Sequence, residues 1–361
     1  MRRRLLVGIA VILLGGLAGL GYVRSGRPRV VARQEGTVVA GPVGRPGMVA
    51  WIEAGAKGER VMVYRRWRRP RALLSASGLM GVAIDGAKAF VTQREGEGKG
   101  SLVAVDIPGG ARRAVADVRG EARQVAAGEG LVAWLERRPA MIAGVPFLTA
   151  AGPVTLIRAA AQEAVLQEAV LQESGGASVV SVISAGEDPV AADLLGVVGG
   201  RVYWSECVGP LAGPTTHVRR GAPGGKAETV ASEAGRQAAL LLPEAVVWTA
   251  DSQEADVSRQ FRSLKERALE GEGTKVIADW LSPETAPLGW GKARYGQGSE
   301  YLWRLGGGRG DQRVVYARVP PHQTARVIGD EEYLVLRERG AAVVAKRPLS
   351  LWARVRMLVG G

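Results

Sequence analysis

The chain is poor in the residues that usually announce chemistry. It has one cysteine, Cys207, and two histidines, His217 and His322, in 361 residues. A single thiol excludes any intrachain disulfide, so stability has to come from packing alone. Two isolated histidines, next to Thr216 and Pro321, exclude a histidine-rich metal centre and leave any such site dependent on acidic partners that the sequence does not identify. Both are expected at surface or loop positions. Cys207 follows a strand-like VYWSE run with no base apparent beside it, so it reads as a small core residue rather than a nucleophile. No catalytic residue, metal ligand or cofactor is expected.

What the chain does have is a two-part pattern returning about every 43 residues, roughly seven times, the length of a β-propeller blade. Its first part is a pair of apolar runs around a tight turn, the second run often ending in Trp. VAIDGAKAFVTQ at Val82, VAAGEGLVAWLE at Val125 and GVVGGRVYWSE at Gly196 are the plainest copies, and others start at Ala40, Leu240, Arg294 and Leu334. Short β-branched and aromatic runs bounded by Gly, Asp and Pro, with a short turn between them, predict hairpins. The second part is another strand pair, clearest in SLVAVDIPGGARRAVADVRG from Ser101 and THVRRGAPGGKAETVASEAG from Thr216. Two hairpins in series make a four-stranded blade.

The chain ends sharpen this expectation. RVVARQEG from Arg29 resembles a last blade strand with no partners before it, while EYLVLRERG, AAVVAKR and LWARVRML look like three strands lacking a fourth. Lending the N-terminal strand to the last blade would close the ring and remove both exposed edges. The expected fold is therefore all-β, a propeller of seven four-stranded blades, or six if the terminal strands instead complete a cap.

One interval breaks the period: Trp134 and Trp204 are about 70 residues apart, against roughly 40 to 45 elsewhere. The extra length includes a QEAVL tandem, whose period of five keeps no single apolar stripe. It is expected as a low-complexity insertion near 154–186, between two strands. The rest of 28–361 forms one propeller domain, preceded by a segment 1–27.

That segment carries MRRR and then LLVGIAVILLGGLAGLGYV, about 19 uncharged residues. It reads as an uncleaved signal anchor, or a signal peptide if cut near Ala18, and would place the propeller on the outer face of a membrane. The net charge of +13 is then less telling than it looks, because residues 1–33 alone hold seven Arg and no acid.

Of the remaining positive charge, much lies in Arg65, Arg66, Arg68, Arg69 and Arg71 around Trp67. A basic cluster with an aromatic can grip anionic lipid or an envelope polymer, and it can equally be a solvated hairpin turn. Nucleic acid is not an expected partner for a domain outside the cytoplasm; an envelope protein or an anionic polymer or lipid surface is. Arg309-Gly310-Asp311 is a chance triplet in an Arg- and Gly-rich chain. Asp85, Glu129, Glu244 and Glu332 recur near inner turns and are expected to serve turn chemistry rather than a metal. Trp51, Trp134, Trp204, Trp248 and Trp303 are expected to pack blade against blade.

VYWSE at Val202, VVWTAD at Val246 and the paired segments ending GGARRAVAD and GGKAETVAS resemble the repeats of TolB-like and YWTD-type β-propellers. The resemblance spans nearly all of 28–358 and implies a protein-interaction platform in an envelope or at a cell surface. It transfers no activity, since hydrolases, lyases and sugar binders share the fold. The functional expectation is a membrane-tethered, extracytoplasmic scaffold that binds protein or polymer; the alternative is a propeller enzyme, a hydrolase or lyase working on polysaccharide or peptide through channel carboxylates.

Overall fold

The computed structural model describes residues 28–349, apart from 35, 67, 139–140, 143–144, 147–153, 162–180, 186–190, 210–212, 224, 252–260, 282–284, 291–292, 298–300, 306–313, 319–321, 330 and 339–340. The N-terminal apolar run, the QEAVL tandem, Arg309-Gly310-Asp311 and LWARVRML lie outside the described residues. Among the described residues no helix is long and apolar enough to cross a membrane.

Strands form wherever the short apolar runs occur, and they assemble into seven four-stranded antiparallel sheets. In chain order these blades cover residues 37–76, 79–119, 121–185, 191–234, 239–281, 286–318 and 322–348. Within the first six, each strand pairs with the next described one of its blade. The last has three strands of its own and takes its fourth from the N-terminus, where Arg29–Gln34 pairs antiparallel with Ala341–Pro348. The first strands of successive blades pack on one another around a ring, the last against the first. The chain is a β-propeller.

Burial follows position within the blade. The second strands are sandwiched between neighbouring sheets and are buried on both faces, as in Met48–Gly55, Arg201–Val208, Ala245–Asp251 and Glu331–Glu338. That is why they read as continuous apolar runs rather than alternating ones. The first strands of blades 1, 3 and 5 are mainly half-buried because one of their faces borders the channel, whereas that of blade 2, Leu79–Asp85, is buried along nearly its whole length. At Gly81 an added Cβ would sit 2.6 Å from the carbonyl oxygen of Arg123, so the close approach of two neighbouring inner strands there requires glycine.

Trp51, Trp134, Trp204 and Trp248 are all buried on the second strands. Each joins a cluster with the preceding blade: Trp134 with Phe90 and Leu102, Trp204 with Leu131 and Leu135, Trp248 with Tyr203 and Val218, and Trp51 with Tyr333 and Val344 of the last blade. Phe90, Tyr203 and Tyr333 supply the opposing surface: from the second strands of blades 2, 4 and 7 they pack against the tryptophan of the blade that follows. The expectation of blade-against-blade packing holds for these four tryptophans.

A second regularity accompanies the first. In Trp51-Ile52-Glu53, Trp134-Leu135-Glu136 and Trp204-Ser205-Glu206, the indole N–H donates to the carboxylate two residues on, at 3.3, 3.3 and 3.1 Å. The spacing of two puts both side chains on one face of the strand. Glu53 also meets Arg60 of the next strand at 2.5 Å, and Glu206 meets Arg219 at 2.6 Å. The buried indole and the carboxylate thus satisfy each other, and an arginine on the rim balances the charge.

Blade 6 corrects the sequence reading by one strand. RYGQGSEYLWRL was expected to be its first hairpin, but its first strand is Ala286–Trp290, and Ala293–Gln297 and Tyr301–Leu305 are the second and third. Trp303 therefore belongs to a third strand, and the second-strand position that tryptophan holds in four other blades is Gly296 here. The error has a physical source: APLGW has one β-branched or aromatic residue, plus Pro and Gly, and carries no strand signal. The slip propagates into the last blade, whose first strand is His322–Ile328, expected instead as the end of blade 6. Blade 3 spans residues 121–185, and the stretch 154–186 expected as an insertion contains two of its strands. Its third and fourth strands, Val154–Ala161 and Ser181–Ala185, flank residues 162–180, and a small hairpin, Met141–Ile142 with Val145–Pro146, adds to the preceding connection.

Two outcomes follow. Trp134→Ala should destabilise the propeller by about 3–5 kcal/mol, the cost of emptying a large buried aromatic site, whereas Val276→Ala, at a residue 52% exposed, should lie within about 0.5 kcal/mol of wild type; urea unfolding midpoints check both. Burial pushes the Glu53 carboxyl above its ordinary range, outweighing the opposite pull of Arg60 and Trp51. Its contribution to stability is therefore fully present below the ordinary glutamate pKa and is lost as pH rises through the raised folded value. Glu53→Gln should accordingly gain on wild type between pH 4 and 7 in thermal melts, and a trend of the opposite sign would contradict the assignment.

Candidate functional site

Two surfaces of the ring place polar groups where a ligand could reach them. The first is the channel enclosed by the inner strands. A cavity of about 640 Å³ is lined from blades 1 to 5 and 7, by polar groups together with apolar side chains such as Val38, Val82 and Leu240. Its charged residues are Arg123, Asp193 and Arg326. They arrive there because each sits on the first strand of its blade, the strand nearest the axis.

Gln124 organises one side of this channel. Its amide nitrogen donates to Asp193 at 2.8 Å, and its amide oxygen accepts from the backbone N–H of Leu194 at 2.5 Å, tying blade 3 to blade 4. Arg123 pairs with Glu121 of its own strand at 3.2 Å. Arg326 stands apart. Among the described residues it has no ion pair or hydrogen bond, and the surrounding protein holds its pKa below the usual arginine value, with Asp193 pulling the other way. Its side chain is exposed to the channel, so the guanidinium keeps its charge and stays within reach of a ligand.

The second surface is the basic turn. Antiparallel strands alternate in direction, so the turns after the first and third strands of every blade open on one face. Arg65, Arg66, Arg68, Arg69 and Arg71 occupy the turn between Gly58–Arg65 and Arg71–Ala76 of blade 1. The amide of Arg68 donates to the carbonyl of Arg65 at 3.0 Å and that of Arg66 to Gly47 at 2.8 Å, which fixes the turn against the neighbouring hairpin. Arg68, Arg69 and Arg71 are exposed, and Arg65 and Arg66 are half-buried; Trp67 lies outside the described residues. Arg66 approaches Glu331 of the last blade at 3.6 Å, and the Arg71 guanidinium donates to the carbonyl of Ile107 in blade 2. The latter contact brings the basic turn against the matching turn of blade 2, where Arg112 is exposed. Sequence inspection had no means of adding Arg112, because the two turns adjoin only in the folded ring.

The remaining expectations fall into place as follows. Asp85 ends the first strand of blade 2, and Glu129 lies in a turn at φ 51° and accepts from the amide of Gly200 at 3.0 Å. Glu244 lies in the corresponding turn of blade 5. Glu332 is fully buried against Arg347. The four are not gathered at the channel, and among the described residues no three His, Cys, Asp or Glu side chains come close enough to hold a metal. Cys207 is buried, and half-buried His217 faces Ser232 across the strand pair at 2.9 Å. His322 opens the first strand of blade 7, and its side chain lies outside the described residues.

No family model matches this chain, and no curated protein does. Solved structures do match. An acylaminoacyl peptidase from Pyrococcus horikoshii is similar with TM-score 0.59 and 11% identity, over 93% of this chain and 54% of that one. A puromycin-hydrolysing peptidase from Mycobacterium tuberculosis gives 0.56 and 15%, over 89% and 53%. TolB from Acinetobacter baumannii gives 0.44 and 9%, over 84% and 64%. These likenesses concern the fold alone, and the chain spans about half the length of the two peptidases.

Proposed function

We propose that this protein is a membrane-tethered, extracytoplasmic β-propeller that acts as a binding scaffold for an envelope protein or an anionic polymer or lipid surface. The observation that carries the reading is the basic face, where Arg68, Arg69 and Arg71 project from blade 1 and Arg112 continues the charge onto blade 2. A rigid turn that holds several exposed guanidinium groups side by side presents a fixed array to phosphate or carboxylate groups, and each basic residue near an anionic surface contributes about 1 kcal/mol. The N-terminal apolar run would tether the ring and hold that face near the membrane. Nucleic acid remains outside the proposal, because the anchor directs the domain away from it.

The rival is a propeller enzyme, a hydrolase or lyase acting on polysaccharide or peptide through carboxylates in the channel. Two acids facing one another are the usual minimum for such acid and base work. Asp193 is the single carboxylate among the described channel-lining residues, and it is already engaged by Gln124. This favours the scaffold.

Affinity purification of the detergent-extracted full-length chain, with bound components identified by mass spectrometry and lipid analysis, tests the proposal. Wild type should recover a stoichiometric envelope component. Replacing Arg65, Arg66, Arg68, Arg69 and Arg71 together by Ser should reduce that recovery at least tenfold, and raised salt should weaken the wild-type complex in the same sense. A wild-type chain that recovers nothing would sink the scaffold reading; equal recovery by the variant would remove the basic turn from it.

A further inference from the structure

The cavity between blades 4 and 5, of about 610 Å³, is lined by Arg201 and Arg220, but both are already neutralised by Glu228, at 3.3 and 2.8 Å. The buried charges at the junction of blades 7 and 1 are likewise mutually paired. Glu331 takes Lys346 at 3.0 Å and the Tyr333 hydroxyl at 2.8 Å. Arg326 differs from all of these.

We propose that Arg326 is the anion-binding group of the central channel and recognises a carboxylate, carried by an acidic peptide segment or by a free small acid. The proposal rests on the binding reading of the fold and gives that reading a ligand chemistry. Three observations meet at this residue. Its guanidinium lines a cavity whose 640 Å³ suits a small ligand or a few residues of extended chain. It is exposed to the channel and has no counter-ion within contact among the described residues, whereas Arg219 and Arg347 each have one. Its charge is disfavoured by the protein around it and supported by Asp193, which Gln124 holds in a fixed place rather than leaving it free to swing across. An unpaired cation that a ligand can reach inside a concave cavity attracts an anion, because no counter-ion has to be displaced and the cavity walls concentrate its field. A planar fork of N–H donors matches a carboxylate by two parallel hydrogen bonds.

Asp193 also sets which anion is accepted. Its negative charge lies in the same channel, so a doubly charged phosphate is repelled more than a singly charged carboxylate. The other charged lining group, Arg123, is occupied by Glu121 and contributes at longer range. The fork of Arg326 thus favours a carboxylate group, with its single charge shared by two oxygens, over the concentrated double charge of phosphate.

Isothermal titration of the full-length, detergent-extracted protein tests this with three probes: the peptide Gly-Gly-Glu-Glu-Gly-Gly, succinate and inorganic phosphate. At least one carboxylate probe should bind wild type. Arg326→Gln should weaken it tenfold or more, and Asp193→Asn should tighten it severalfold by removing the competing charge. Binding of the peptide alone assigns the ligand to a polypeptide segment; binding of succinate alone assigns it to a free acid. Arg326→Lys, which keeps the charge without the fork, should fall between wild type and Arg326→Gln, and it carries the test if the glutamine variant fails to fold. Failure of both carboxylate probes to bind, unchanged affinity in Arg326→Gln, or tighter binding of phosphate than of either carboxylate would overturn the proposal. Recovery of the envelope component by the same variants is followed in parallel: an Arg326→Gln chain that keeps its component while carboxylate binding is unaffected sinks only this inference, whereas a wild type with no component sinks the scaffold.

Discussion

Everything in this molecule depends on one strand pairing. A ring of sheets has a seam, and an open seam would expose a row of backbone N–H and C=O groups along each of two edges. Here the chain closes it by placing Arg29–Gln34 beside Ala341–Pro348, so that the outermost strand of the last blade comes from the opposite end of the sequence. The exposed pair of Arg33 with Glu338, at 2.7 Å, adds little by itself. The ladder and the burial behind it do the work of closure: Tyr333 and Val344 of the last blade pack on Trp51 and Val49 of the first. The channel, and with it the placement of Arg326 and Asp193 around one axis, exists only while that seam is shut.

The junction is also unusually charged. Glu331, Glu332, Lys346 and Arg347 are all buried on the two central strands of the last blade, and the Lys346 ammonium lies 5.3 Å from the centroid of the Tyr64 ring of blade 1. Burial, followed by the adjacent Glu331 charge, drives the Tyr333 hydroxyl far above its ordinary pKa, so it stays a hydrogen-bond donor to that carboxylate at any physiological pH. Buried ion pairs seldom stabilise a fold more than apolar packing would. Their effect here is on register: only one alignment of the last two strands sets Glu331 against Lys346 and Glu332 against Arg347, which fixes the edge that the N-terminal strand must meet.

Much of this was legible in the sequence because a propeller repeats its constraints. Wherever a second strand is squeezed between two sheets, the same apolar run and the same large ring recur, and Trp51, Trp134, Trp204 and Trp248 mark four blades. The lone strand at Arg29 betrayed the seam. Legibility failed where the repeat is locally weak. The APLGW strand of blade 6 has Pro287 and Gly289 where others have branched residues, so the reading slid onto the next strand and took Trp303 for a second-strand residue. The Trp-x-Glu pairing was in plain view but has no meaning until the arginines beside Glu53 and Glu206 are seen to complete it. The channel was invisible for another reason. Arg123, Asp193 and Arg326 lie in different blades and share no motif; only the closed ring brings them to one axis. The basic turn was found as a cluster of letters, while its continuation to Arg112 is a product of blade packing.

Amide hydrogen exchange across the seam tests the account most directly. If the N-terminal strand closes the ring, the paired amides of Arg29–Gln34 should exchange as slowly as those of Ala341–Pro348, and both should lose protection together on mild denaturation. Rapid exchange in Arg29–Gln34, with Ala341–Pro348 protected only along its inner edge, would show an open ring, and the closed channel on which the binding argument rests would fall with it.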